Sequence, residues 1–238
     1  RDRLRSRGLG DVYKRQKLHG QMEGLRKCAL KQYPGRKVKF IWATHNCIMS
    51  AKDIKRLQEW DIIFFSDSTI QYYSELVKHL GTCSRYQLLG NLLANTEIKK
   101  MQNKVLAIKG KMGGHEYYEF SIEPEKLLKI GYVLHRNEAN KNMMPTYQRI
   151  IKRKRLKEVQ SFINDGGYFP NSIIISIDSG GRKLQFDESP TKLDDSISKI
   201  GVLHLPKRYH SAYIIDGQHR LYGLSLIHIS EPTRPEPI

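Results

Sequence analysis

The segment Ala212-Tyr213-Ile214-Ile215-Asp216-Gly217-Gln218-His219-Arg220-Leu221-Tyr222-Gly223 sets a short apolar run against a polar pentapeptide and a second apolar step. An apolar run closed by a glycine reads as a buried strand, a tight turn and the start of a helix. The turn gathers an acid, an amide, an imidazole and a guanidinium. Backbone N–H groups at the helix start and the fork of Arg220 suit anionic oxygens. Asp216 can bind a metal, and His219 can exchange a proton near neutral pH. A plain polar strand-to-helix turn has the same spacing, so the pattern leaves both readings open.

Upstream, Lys104 to Lys109 and Tyr117 to Ile122 read as a hairpin around Gly110-Lys111-Met112-Gly113-Gly114. This loop joins two strands and lacks the G-x-x-x-x-G-K-[ST] spacing, so a hairpin tip is expected rather than a phosphate loop. Lys111 remains a candidate contact to a DNA backbone. Pro124 to Ile130 reads as a short helix and Tyr132 to Arg136 as a strand. Pro145-Thr146-Tyr147-Gln148-Arg149 then leads into a basic helix, Ile150 to Asn164, carrying Lys152, Arg153, Lys154, Arg155 and Lys157. Its apolar face is Ile151, Leu156, Val159 and Phe162. Gly166-Gly167 ends it, and Phe169-Pro170-Asn171 enters a strand from Ser172 to Ile177. Asp178 to Pro206 reads as a β-excursion with a surface loop.

The preceding residues, Lys17 to about Gln102, alternate helix and strand. Leu18 to Tyr33 is helix-like. Lys37 to Thr44 and Asp61 to Ser66 are near-continuous apolar runs, the mark of buried parallel strands. Between them Ser50 caps a helix, with Asp53 in the acidic place of a capping box and Ile54, Leu57 and Trp60 at helical spacing. Further helices are predicted from Ser66-Asp67 to Leu80 and from Ser84 to about Met101. Thr44-His45-Asn46 closes a parallel strand, where ligands tend to bind, although a satisfied loop histidine is the stronger expectation.

The 238-residue chain carries 41 Lys and Arg against 24 Asp and Glu, a net charge of +17. Its two ends stand apart from the rest. Codons for Asp11 to Gln16 can be chosen whose reverse complement encodes Leu224 to Ile229, a pair that resembles the transposase end sequence of sequencing libraries. Residues 1–16 and 224–238 are therefore expected to be translated linker and are set aside in reading the fold, with the protein piece cut at both ends, although the apolar run to Ile229 can extend a helix. The interior keeps 34 basic and 20 acidic residues, +14, so the basic character does not come from the ends. Such a charge suits a polyanionic partner. No apolar run reaches the roughly 18 residues of a membrane span. Cys28, Cys47 and Cys83 lack the paired spacing of zinc sites or a disulfide framework, which fits a reducing cytoplasm.

The complete Asp216-Gly217-Gln218-His219-Arg220 pentapeptide resembles the signature of the DGQHR-domain family, which includes Dnd-type regulators of DNA phosphorothioation. From about Gly110 to Gly223 the order of elements is similar, more distantly, to the ParB/sulfiredoxin superfamily: a Gln-Arg element, a helix ending in glycine, a proline-led strand, then a strand and a Gly-x-x-Arg turn. The resemblance implies an α/β, overall α+β, chain. A truncated α/β layer, 17–102, which resembles the end of a nuclease-like domain, would precede a ParB/sulfiredoxin-like mixed domain, 103–223. No acid with a partnering Glu-x-Lys can be placed in the first part.

The resemblance further implies a nucleoside triphosphate, with Mg2+, at Asp216, Gln218, His219 and Arg220 as catalytic residues. Gln148, Arg149, Gly217 and Arg220 would bind the nucleotide, and Asp216 would hold the metal. By chemistry, Arg220 and Arg149 would clamp phosphates and Gln218 would position water. Lys111, Lys152, Arg153, Lys154, Arg155 and Lys157 would track a DNA backbone. The function expected is that of a bacterial or phage DNA-modification or defence protein, with DNA and DNA-modification proteins as partners. Two alternatives stand beside it: a non-catalytic DNA-binding regulator, and the sensor domain of a nuclease whose active site lies upstream.

Overall fold

The computed structural model describes residues 9–133, 151–191 and 196–230, with side chains described between 17 and 227 within those ranges. The chain divides into two compact units, residues 1–70 and 71–238. It has the mixed helix-and-sheet character expected of an α/β, overall α+β, protein.

The first unit contains α1 (Leu9–Gln32), β1 (Phe40–Ala43), α2 (Ala51–Glu59), β2 (Ile62–Phe65) and the opening of α3 (Asp67–Leu80). The predicted strand–helix–strand crossover is present: β1 and β2 are parallel, with Phe40 opposite Ile62 and Ala43 opposite Phe65. Ser50 caps α2 as its sequence requires. Its Oγ accepts from the Asp53 N–H at 3.1 Å and donates to Asp53 Oδ2 at 2.7 Å. One expectation is corrected. The apolar run over β1 reads as a strand covered on both faces, yet Ile41 and Trp42 are exposed at 45% and 40%. Among the described residues β2 is the only strand beside it, and burial in this unit concentrates at Leu57 and Ile62.

The second unit begins within α3 and continues through a 3-10 turn (Gly81–Cys83) and α4 (Ser84–Leu92). Gly81 adopts φ +54°, the left-handed geometry that ends α3. The sequence extends α4 to about Met101, whereas the helix stops nine residues earlier. From Asn95 onward the backbone pairs across the chain instead: Asn95 N–H donates to Tyr209 O, Tyr209 N–H to Thr96 O, and Ile98 N–H to Lys207 O. Long-range pairing outweighs the local helical preference.

Next come β3 (Lys104–Met112), β4 (His115–Phe120), α5 (Pro124–Ile130) and β5 (Gly131–Tyr132). The β3–β4 hairpin turns on Gly113 and Gly114 alone, both at positive φ. Gly110 lies inside β3, buried under the Tyr117 ring, so the glycine-rich loop is shorter than its composition suggests. The predicted strand at Tyr132 to Arg136 is described only to Val133.

Beyond 150 follow α6 (Arg153–Asn164), β6 (Ile174–Ile177), β7 (Phe186–Glu188), β8 (Lys199–His204), β9 (Ala212–Asp216) and α7 (Gln218–Ser230). The expected excursion after Asp178 supplies β7 and β8, which complete an antiparallel sheet in the order β4-β3-β8-β7. A second sheet has the order β5-β9-β6, with β9 parallel to β5 and antiparallel to β6. Helices α5, α6 and α7 pack together, and Leu128, Ile130, Leu156 and Leu221 are at most 1% exposed in the core. On α6, Phe162 departs from the expected apolar face: it is 44% exposed and leans on Phe169 with ring centroids 5.0 Å apart.

Candidate functional site at the turn between β9 and α7

The apolar alternation Ala212, Ile214 holds β9 in the middle of its sheet, so Asp216 emerges at the strand's end. A register shift between Ile174 and Ile175 on the neighbouring β6 falls opposite that end. Such a bulge re-aims a strand terminus. Gly217 then turns the chain at φ +90°, and a β-carbon there would stand 3.0 Å from Ile173 Cγ1. Both conditions require glycine. The first turn of α7 follows, with Leu221 N–H donating to Gly217 O at 2.9 Å.

Arg220 folds back over this turn. Its Nη2 donates to Asp216 Oδ2 at 3.0 Å, and its Nη1 donates to the carbonyl of Asn171. The guanidinium thus ties the proline-led entry of β6 to the acid at the end of β9. Its side chain is 16% exposed, whereas that of Asp216 is 67% exposed. The proximity of Asp216 and Arg220 was legible in the pentapeptide. The role of Asn171 was not, because a backbone carbonyl leaves no trace in residue identity.

His219 is half-buried. Burial, and then the charge of Arg155 on α6, hold its pKa below the usual histidine range. The imidazole is accordingly neutral at pH 7 and able to accept a proton or donate one hydrogen bond. Arg155 on α6 is thus near enough to the turn to act on His219. Lys152, Arg153, Lys154, Arg155 and Lys157 are all exposed, while Leu156 between them is buried. Lys111 is exposed in β3, opposite Glu116 on β4. Gln148 and Arg149 lie outside the described residues, so their predicted approach to the turn is not placed.

A cleft of about 680 Å3 opens beside the turn. Ile173 and Leu221 line it together with Leu106, Ile108 and Phe120. Its size and apolar lining are those of a small-ligand site.

The strand-to-turn-to-helix segment lies inside a family match. A family model described as DndB, DNA-sulfur modification-associated, matches residues 105–233, from β3 through α7 and more than half of the chain. The chain belongs to the DndB family. No curated protein and no solved structure matches it. Membership makes it a protein of a DNA-sulfur modification system, the phosphorothioation context expected from the pentapeptide. No helix among the described residues is long and apolar enough to cross a membrane.

One further feature of this DndB-family chain escaped the sequence reading. Gln87, 1% exposed on α4, donates from Nε2 to Val133 O at 2.7 Å and accepts the Val133 N–H on Oε1 at 3.2 Å. A side-chain amide here takes the place of a neighbouring strand at the end of β5. Tyr222 reaches the same Oε1 from α7 at 3.4 Å. Only the odd sight of a glutamine between apolar residues could have signalled it. In the first unit, His45 Nδ1 lies 2.9 Å from Asp67 Oδ1, and the Asn46 N–H donates to Asp67 Oδ2. His45 is a partnered loop residue.

Proposed function

We propose that this DndB-family chain is a DNA-binding component of the phosphorothioation system whose Asp216–Arg220 turn seats a nucleoside triphosphate. The observation that carries the reading is the packing of the basic helix α6 against α7, the helix that the turn opens, with Gly223 of α7 directly against Val159 of α6. Phosphates would approach the start of α7, the end at which a helix dipole favours an anion. Arg220 would exchange its Asn171 carbonyl for a phosphate oxygen, a stronger, charge-assisted partner. The apolar cleft beside Ile173 and Leu221 suits a base. The resemblance to ParB/sulfiredoxin-type turns supports the same placement.

Mg2+ fits this turn only in part. Among the described residues no group of three His, Cys, Asp or Glu side chains gathers at one point. Asp216 offers one carboxylate, already paired with Arg220. Mg2+ is commonly held by one or two carboxylates together with substrate phosphates, whose charge it offsets. Gln218, half-buried at the helix start, is the residue proposed to orient water, with neutral His219 beside it as proton acceptor. Exposed Lys152, Lys154 and Lys111 would contact DNA backbone without reading sequence.

A second reading rests on a specific contact. Arg220 already satisfies two acceptors, Asp216 and Asn171 O, as a structural brace would. On that reading the protein is a non-catalytic DNA-binding regulator. Triphosphate turnover, with and without DNA, separates the two. Turnover lost in both Asp216→Ala and Arg220→Ala, with folding retained, supports the nucleotide site. DNA binding with no turnover and no bound triphosphate supports the brace.

A further inference from the structure

We infer that the C-terminal turn of α3 forms the second bank of a phosphate groove, in which Lys78 and His79 face Arg153 and Lys157 of α6 and grip the backbone of duplex DNA. The inference rests on the DNA-binding reading above and extends it to residues outside the 105–233 family match. A cleft of about 420 Å3 lies between these elements, with Leu80 and Leu156 in its lining. Its charged lining side chains are Lys78, Arg153 and Lys157, with His79 beside them and no acid. Among the described residues none of the four has an ion-pair partner, whereas i,i+3 and i,i+4 pairs neutralise Lys126 and Lys129 on α5.

Converging cations repel one another, and α6 makes this worse. Arg153 to Arg155 occupy its first turn, where the helix dipole favours acids, and Lys152 caps it without a side-chain bond. A sequence shaped for stability alone would place an acid or a serine there. An anion lying along the groove relieves the repulsion on both banks. A phosphodiester backbone supplies successive anions at the spacing of a helix surface, and its release of counterions drives binding. The two banks belong to the same compact unit, so the groove is present before DNA arrives.

The test uses the full chain and a 30-base-pair duplex, with binding measured by fluorescence anisotropy across a salt series. Each phosphate contact contributes about 0.9 to the slope of log affinity against log salt, so Lys78→Ala should lower the slope by about one. Lys157→Ala should do the same, and Lys78→Arg should keep the wild-type slope. Circular dichroism confirms that each exposed-site variant is folded. A wild-type slope in Lys78→Ala, with Lys154→Ala still reducing it, overturns the second bank and leaves the DNA-binding reading standing. Failure of the wild-type chain to bind the duplex at low salt overturns both.

Discussion

Gly223 of α7 lies directly against Val159 of α6: a β-carbon added to the glycine would stand 2.6 Å from Val159 Cγ1 and 2.9 Å from Val159 Cβ. Both atoms belong to a stiff β-branched side chain with no flexible end to yield. Gly223→Ala must push the two helices apart, and overpacking of this kind costs about 1–3 kcal/mol. Urea unfolding should show a lower midpoint for Gly223→Ala. An unchanged midpoint would mean that the basic helix is not held against the turn-bearing helix at this point.

Arg220 and Asp216 should respond unequally to truncation. The Asp216 carboxylate is largely in water, so its pairing is worth less than about 1 kcal/mol, and Asp216→Asn should be close to neutral for stability. Arg220→Ala also removes the bond to the Asn171 carbonyl, worth about 0.5–1.5 kcal/mol net, and should cost more than Asp216→Asn. Thermal melts of the two variants test the ranking. Equal losses would place the weight of the brace on the ion pair rather than on the carbonyl.

His219 gives the second unit a pH dependence of definite sign. Burial and Arg155 keep the folded imidazole neutral below the ordinary value of about 6.5. As pH falls through that value the unfolded chain takes up a proton that the folded chain does not, and stability declines. Above it both states are neutral and His219 contributes nothing. The stability difference between wild type and His219→Gln should therefore change between pH 7.5 and 5.5, with wild type losing more. In Arg155→Ala the His219 resonance should titrate at higher pH, though still below the ordinary range, because burial is the larger cause.

Thiol reactivity should follow exposure. Cys28 and Cys47 are exposed, whereas Cys83 is fully buried and its thiol is pushed up to about 11 by that burial. Thiolate is the reactive form. At pH 8 an aromatic disulfide reagent should titrate two thiols in the folded protein and three in guanidinium. Prompt reaction of a third in native buffer would contradict the packing around α3 and α4.

Gln87→Leu should be the most damaging of the single changes. It leaves the N–H and C=O of Val133, both buried, without their partner, at about 1–3 kcal/mol for each group. Calorimetry should show a melting temperature well below that of Gly223→Ala.

The turn itself was the most legible part of this chain. Ala212 to Gly223 announces a strand, a glycine turn and a helix because each step has its own local signal, and Ser50 with Asp53 announces α2 in the same way. What the sequence hid was long-range. The end of α4 is decided by Lys207 and Tyr209, more than a hundred residues later, and the exposure of Trp42 by how few strands surround it. Asn171 and Gln87 act through backbone groups, to which composition and periodicity are blind. The cationic face of α6 was visible as a charge run, but the cleft it shares with Lys78 and His79 needed the fold.

Strand order has a further consequence, for the way the chain is made. β9 enters its sheet between β5 and β6, and β8 enters the other between β3 and β7. Until about residue 199 has been synthesised, the second unit holds little more than the β3–β4 hairpin and helices. Strands awaiting a central partner expose unpaired edges, which makes the nascent form slow to mature and prone to aggregate. Among the described residues, the last strand in chain order is also the one that delivers Asp216. The turn therefore takes its place only as that sheet closes.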